Sequence, residues 1–117
     1  MLYLASPYSH PDEDVREQRF IDACAASSFL MKRGELVFSP ICHSHPIAQF
    51  GLPKGWDFWE KYDREFLEFC SSMVVLMLDG WQESKGVQAE IQIMKEMGKP
   101  ITHLDPKEYA NRPDSRK

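Results

Sequence analysis

The chain has 117 residues, 43% of them hydrophobic, and a formal net charge of −4. That length accommodates one hydrophobic core and no second one, so residues 1–117 are expected to form a single domain. The acidic balance without a long basic run argues against a duplex nucleic-acid surface, and no segment approaches the ~20 apolar residues of a membrane span.

In chain order, Leu2 to Ala5 reads as a short buried strand, with no basic flank or long apolar leader before it. The turn-rich Ser6-Pro7-Tyr8-Ser9-His10-Pro11 follows, at a position where open α/β sheets hold ligands. Asp12 caps a helix expected from Glu13 to Arg33, acidic in its first turn, basic in its last and stopped by Gly34. Phe20, Ala23, Cys24, Ser27, Leu30 and Met31 form its expected buried stripe. Leu36 to Phe38 is a second strand. Ser39 to Gly55 then reads as a loop, and loops beyond ~12 residues are usually functional or disordered. Its Ile41, Ile47, Phe50 and Leu52 favour an ordered flap.

Trp56 to about Cys70 reads as a helix with Trp59, Asp63, Phe66 and Cys70 on one face. Asp63 therefore falls within an apolar stripe. An acid there costs several kcal/mol unless it is paired, hydrogen-bonded or open to a cleft. Met73 to Leu78 has no polar interruption, as in a strand covered on both faces. After Asp79-Gly80, Ser84-Lys85-Gly86 opens a helix whose inward face is expected at Val87, Ile91 and Met94. Glu90 stands one position off that face, about one turn inside, where amide dipoles favour an ionised carboxylate. Ile101 to Leu104 is a fourth strand after Gly98-Lys99-Pro100, and from about 105 the chain is a polar tail or short helical turn.

Three strand-helix crossovers in succession imply a parallel sheet with right-handed connections. The expected fold is an α/β, flavodoxin-like (Rossmann-like) three-layer sandwich with four or five strands in the order 2-1-3-4. Such a sheet brings the loops after Ala5, Phe38 and Leu78 to one edge, with the start of the Gly86 helix. Glu90 is thereby carried towards Tyr3, Ser6 and the flap.

Cys24, Cys42 and Cys70 are odd in number and form no CxxC pair, which suits a reducing, cytoplasmic compartment. Cys42, His43 and His45 are clustered without the spacing characteristic of a zinc site, so no metal is assigned. One of the two histidines is expected to line the pocket and the other to hydrogen-bond backbone. A metal-dependent hydrolase using His43 and His45 is an alternative that predicts chelator sensitivity.

Tyr3-Leu4-Ala5-Ser6-Pro7-Tyr8, an aspartate (Asp63) on the helix before the third strand, Asp79-Gly80, Ser84-x-Gly86-x-x-x-Glu90 and Gly98-Lys99-Pro100 together resemble the nucleoside 2-deoxyribosyltransferase superfamily. Phe38-Ser39-Pro40-Ile41-Cys42-His43-Ser44-His45-Pro46 and Trp56-x-x-Trp59 resemble a small bacterial and phage branch of it. The resemblance implies that Glu90 is the nucleophile attacking the anomeric carbon of a 2-deoxyribosyl group, that Tyr3 orients it, and that Asp63 protonates the departing base or positions the sugar. It implies no cofactor, a nucleoside or nucleotide ligand, and a homo-oligomer, dimer or tetramer, in which a neighbouring subunit completes each pocket. Ser6, Pro7, Tyr8, His43, His45, Trp56, Trp59, Asp79, Ser84 and Gly86 are the expected binding residues, with Trp56, Trp59 or Tyr8 stacking on a base.

Where transferases acting on free nucleosides carry D-x-G-x-x-x-E, this chain has Ser84. It is similar there to the branch that hydrolyses 2′-deoxynucleoside 5′-monophosphates, and a hydroxyl with helix-start amides suits an anion. The glycine-rich, arginine-bearing first loop of that branch is replaced by Ser9-His10-Pro11-Asp12, leaving Arg16 or Arg19 as substitutes. Breaking an N-glycosidic bond builds positive charge on the sugar and negative charge on the base, so it needs an anion on one side and a proton donor on the other. The two carboxyls match that demand. A protein that binds a nucleotide without turning it over is the remaining alternative.

Overall fold

The computed structural model describes residues 1–53 and 55–110. Its elements are β1 (Leu2–Ala5), α1 (Glu13–Lys32), β2 (Val37–Phe38), α2 (Pro40–Ala48), α3 (Trp56–Phe69), β3 (Ser72–Leu76), α4 (Lys85–Glu96), β4 (Ile101–Leu104) and α5 (Lys107–Ala110). The strands form one parallel sheet in the order β2-β1-β3-β4. This is the expected flavodoxin-like α/β fold, with four strands among the described residues.

Alternation along the strands builds the layers. Tyr3, Ala5, Met73 and Val75 face a core closed by Leu67 and Cys70 and by Val87, Ile93 and Met94 of α4. Leu2, Leu4, Val74, Leu76 and Leu104 face the opposite core, closed by Ala26 and Leu30 of α1 with Tyr109 of α5. β1 and β3 lie between the other two strands, so both of their faces are covered. The chain leaves β1 towards one edge and β3 towards the other, which opens a crevice beyond their carboxyl ends.

Several elements differ from expectation. The flap between Ser39 and Gly55 contains α2: Ser39 accepts the Cys42 N–H, and Pro40 occupies the first turn, where a missing N–H costs nothing. Pro40 thus starts the helix, and Pro46 lies near its end. On α1, whose Asp12 cap accepts the Asp14 N–H, the buried residues are Ala23, Ala26, Ser27 and Leu30; Cys24 and Met31 are exposed. β3 ends at Leu76, although Leu78 stays buried. On α4, Ile93 is buried where Ile91 was expected, which rotates Glu90 fully into the interior. Of the polar tail, Lys107–Ala110 is a short helix and the rest lies outside the described residues.

Two polar contacts fix the frame around the crevice. Lys99 Nζ donates to the carbonyls of Leu67, Glu68 and Cys70 at 2.9, 2.8 and 2.7 Å, tying the end of α3 to the α4–β4 turn. Arg19 donates to the Ser9 and Asp79 carbonyls, joining the loops after β1 and β3. Gly80 has φ +90° and its Cα stands so close that a Cβ would meet Arg19 Nη2 at 2.9 Å, so glycine is required there.

Candidate functional site

A cavity of about 420 Å³ opens beyond the carboxyl ends of β1 and β3, within the range of small-molecule sites. The post-β1 loop contributes Ser6 and Tyr8, α2 contributes His45, α3 contributes Trp56, Trp59 and Asp63, and the start of α4 contributes Ser84, Gly86 and Glu90.

At its floor, Glu90 is 5% exposed and accepts a 2.6 Å hydrogen bond from the Tyr3 hydroxyl. Asp63 of α3 lines the same cavity, facing Glu90 from a second helix. Burial pushes the Glu90 carboxyl well above its usual range, and the negative charge of Asp63 adds to the effect. Burial also raises Asp63, but its bonds to Glu90 and Tyr3 work in the opposite direction. Both carboxyls are therefore raised, Glu90 the more strongly because it is the more deeply buried. Desolvation here works against the ionised Glu90 expected from the helix dipole. Tyr3 is raised by burial and then by Glu90, so its phenol stays protonated and can only donate to the carboxylate.

A second chain of contacts forms the α1–α2 side. The Tyr8 hydroxyl lies 2.7 Å from His45 Nδ1, and His45 Nε2 lies 2.9 Å from Glu17 Oε1. His45 thus bridges the two, its Nε2 paired with the Glu17 carboxyl and its Nδ1 with the Tyr8 hydroxyl. Phe20 stacks on the imidazole at 4.3 Å. Tyr8 is thus held against the cavity by a histidine that is itself anchored at the surface.

The start of α4 is built for a negative group. Ser84 accepts the Val87 N–H and has its own proton to donate, while the first-turn amides lack helical acceptors. Ser6 Oγ, buried and lining the same cavity, has no hydrogen-bond partner among the described residues. Lys85, overlooked in the sequence because it reads as an ordinary surface residue, also lines the cavity. A Cβ on Gly86 would touch Trp56 Cε3 at an ordinary 3.8 Å, so sterics do not demand glycine there.

Five expected or candidate contributors lie elsewhere. Pro7 is fully buried beneath the loop. Asp79 borders a separate, shallower depression beside Arg19. His43 is exposed and its ring packs by Phe38 and Phe66, so the expected backbone contact is replaced by an aromatic one. Arg16 and Arg19 are not anion ligands of the cavity: Arg16 donates to the His10 carbonyl, and Arg19 braces the loops. His43 and His45 do not converge, and among the described residues no three His, Cys, Asp or Glu side chains are placed to hold a metal. Trp59 lines the cavity while its indole N–H donates to the Pro53 carbonyl.

Fold and cavity define an α/β protein with two carboxyls, Asp63 and Glu90, lining a cavity at the topological switch point of its sheet. A family model matches residues 1–105, and the chain belongs to the family described as a domain of unknown function (DUF1937). A search of curated proteins found no match. Among the described residues, no helix is long and apolar enough to cross a membrane.

Proposed function

We propose that this protein cleaves or transfers at the N-glycosidic bond of 2′-deoxynucleosides or 2′-deoxynucleoside 5′-monophosphates through a covalent glycosyl-Glu90 intermediate, as its resemblance to nucleoside 2-deoxyribosyltransferases implies. The observation that carries the reading is the Glu90–Asp63 pair, buttressed by Tyr3, at the floor of an open cavity. One proton carried by the two acids serves both halves of the reaction. As it passes from Glu90 to Asp63 and on to the departing base, Glu90 becomes the anion that attacks the anomeric carbon. The Tyr3 O–H holds the carboxylate oxygen that does not attack. Water or a second base then releases the sugar.

Ser6, Ser84, Lys85 and the opening amides of α4 give a 5′-phosphate donors of the required kind, which favours the monophosphate. Trp56 and Trp59 offer flat faces for a base. The exposed Phe50, Phe69 and Tyr62 are consistent with a homo-oligomer, and the three free thiols with a cytoplasmic setting. The test is incubation with a panel of 2′-deoxynucleosides and their 5′-monophosphates, with and without acceptor bases. Free base released from a monophosphate is the expected result. Binding by calorimetry with no base released from any member, at high protein concentration, would replace this reading with a nucleotide-binding protein.

A further inference from the structure

Outside the cavity, α1 and α2 meet along a seam. Glu17, Phe20, Cys24 and Ser27 recur on one face of α1, three or four residues apart, and each touches α2. Along this seam Cys24 Sγ lies 3.3 Å from Cys42 Sγ, and Ser27 Oγ lies 3.9 Å from the same Cys42 sulfur. A disulfide spans about 2.05 Å, so closing the pair requires the sulfurs to approach by a little over an ångström. Cys24 is exposed and Cys42 half-buried, so an oxidant reaches them. Cys70, with no exposure at all, lies in the opposite core.

We propose that Cys24 and Cys42 form a reversible, peroxide-driven disulfide that staples α1 to α2 beside the cavity. The two sulfurs are not equivalent. Cys42 stands in the first turn of the nine-residue α2, its own N–H taken by Ser39 Oγ and its sulfur facing Cys24. Cys24 is held up to about 11 by burial and by its hydrogen bond to Cys42, so it keeps its proton and donates it. Cys42 is therefore the attacking sulfur and Cys24 the resolving one, the arrangement of a redox-sensing pair.

In the first step the Cys42 thiolate attacks one peroxide oxygen, the O–O bond breaks, and a sulfenic acid forms as hydroxide leaves and is protonated to water. In the second, the Cys24 sulfur attacks the sulfenic sulfur; the S–O bond breaks and the departing hydroxide takes the Cys24 proton. Two thiols lose two electrons and hydrogen peroxide becomes two waters. A dithiol reductant reverses the change. His45 lies one turn beyond Cys42 on α2, and Glu17 two turns before Cys24 on α1. The staple therefore clamps the same two helices whose His45–Glu17 bond holds Tyr8 against the cavity.

The test uses the full chain treated with hydrogen peroxide, denatured, alkylated and read by intact mass and peptide mapping. The expected product is a monomer with one alkylated thiol, at Cys70, and a Cys24–Cys42 cross-linked peptide pair that dithiothreitol dissolves. Two variants separate the roles. In Cys24→Ser, Cys42 proceeds to sulfinic acid or joins two chains, whereas in Cys42→Ser the Cys24 thiol survives the same dose. Three free thiols in the wild type, at a dose that oxidises Cys42 in Cys24→Ser, would overturn the proposal. So would a disulfide found only between chains. Neither result depends on which substrate the cavity takes.

Discussion

The Tyr3 hydroxyl and Glu90 Oε2 stand 2.6 Å apart although 87 residues separate them in the chain. The contact joins β1 to the buried face of α4, with the phenol as donor. Tyr3→Phe removes that one donor while keeping the ring that packs by Phe38. The expected loss of stability is about 1–2 kcal/mol, for a buried acceptor stripped of a partner. Turnover of deoxynucleotide should fall by about 10- to 100-fold. Because the Tyr3 bond lowers the Glu90 pKa, the basic limb of the rate profile, where the proton on Glu90 is lost, should move to higher pH in the variant.

The raised Glu90 carboxyl makes a prediction about folding itself. Its usual value is 4.5, and the folded protein keeps the proton to a higher pH. Between those two values the native state binds more protons than the unfolded chain, so stability falls as pH rises through that window. Below it the contribution is fully present. Urea denaturation across a pH series should show this decline in the wild type and a flatter curve for Glu90→Gln, whose amide does not titrate.

His45 anchors Tyr8 rather than entering the reaction. His45→Asn should cost about 1–3 kcal/mol of stability through two lost hydrogen bonds and the Phe20 stack. In steady-state kinetics the change should fall mainly on KM. Tyr8→Phe should reproduce the KM change with little loss of stability, which separates the pocket wall from its support.

Lys99 is a structural cation. With three carbonyls from the end of α3 on one ammonium, Lys99→Met should lower the unfolding free energy by about 2 kcal/mol. Thermal and chemical denaturation measure it directly.

The sheet and its order were legible because MLYLA, MVVLML and Ile101–Leu104 alternate with helical periods and capping residues whose physics is local. Asp63 was legible because an acid on an apolar stripe is costly, and Glu90 because it stands beside the inward face near a helix start; both line one cavity. What the sequence hid depends on distance in space. The upward shift of Glu90 follows from its burial, which no local window reports. α2 was concealed by two prolines whose effect depends on their position in the helix, although Ser39-Pro40 is a legitimate start signal. His45, Glu17 and Cys24 belong to three separate stretches, and only the packing of α1 on α2 makes them one seam.

The account turns on Glu90 as the atom that bonds to sugar. Protein mixed with a 2′-deoxynucleoside 5′-monophosphate, quenched in acid within the first turnover and digested, should yield the peptide containing Glu90 heavier by one deoxyribosyl 5-phosphate. Glu90→Gln should stay folded, carry no adduct and lose about 10³-fold or more of the turnover. Base release at the wild-type rate by Glu90→Gln, or an adduct on any other side chain, would contradict it.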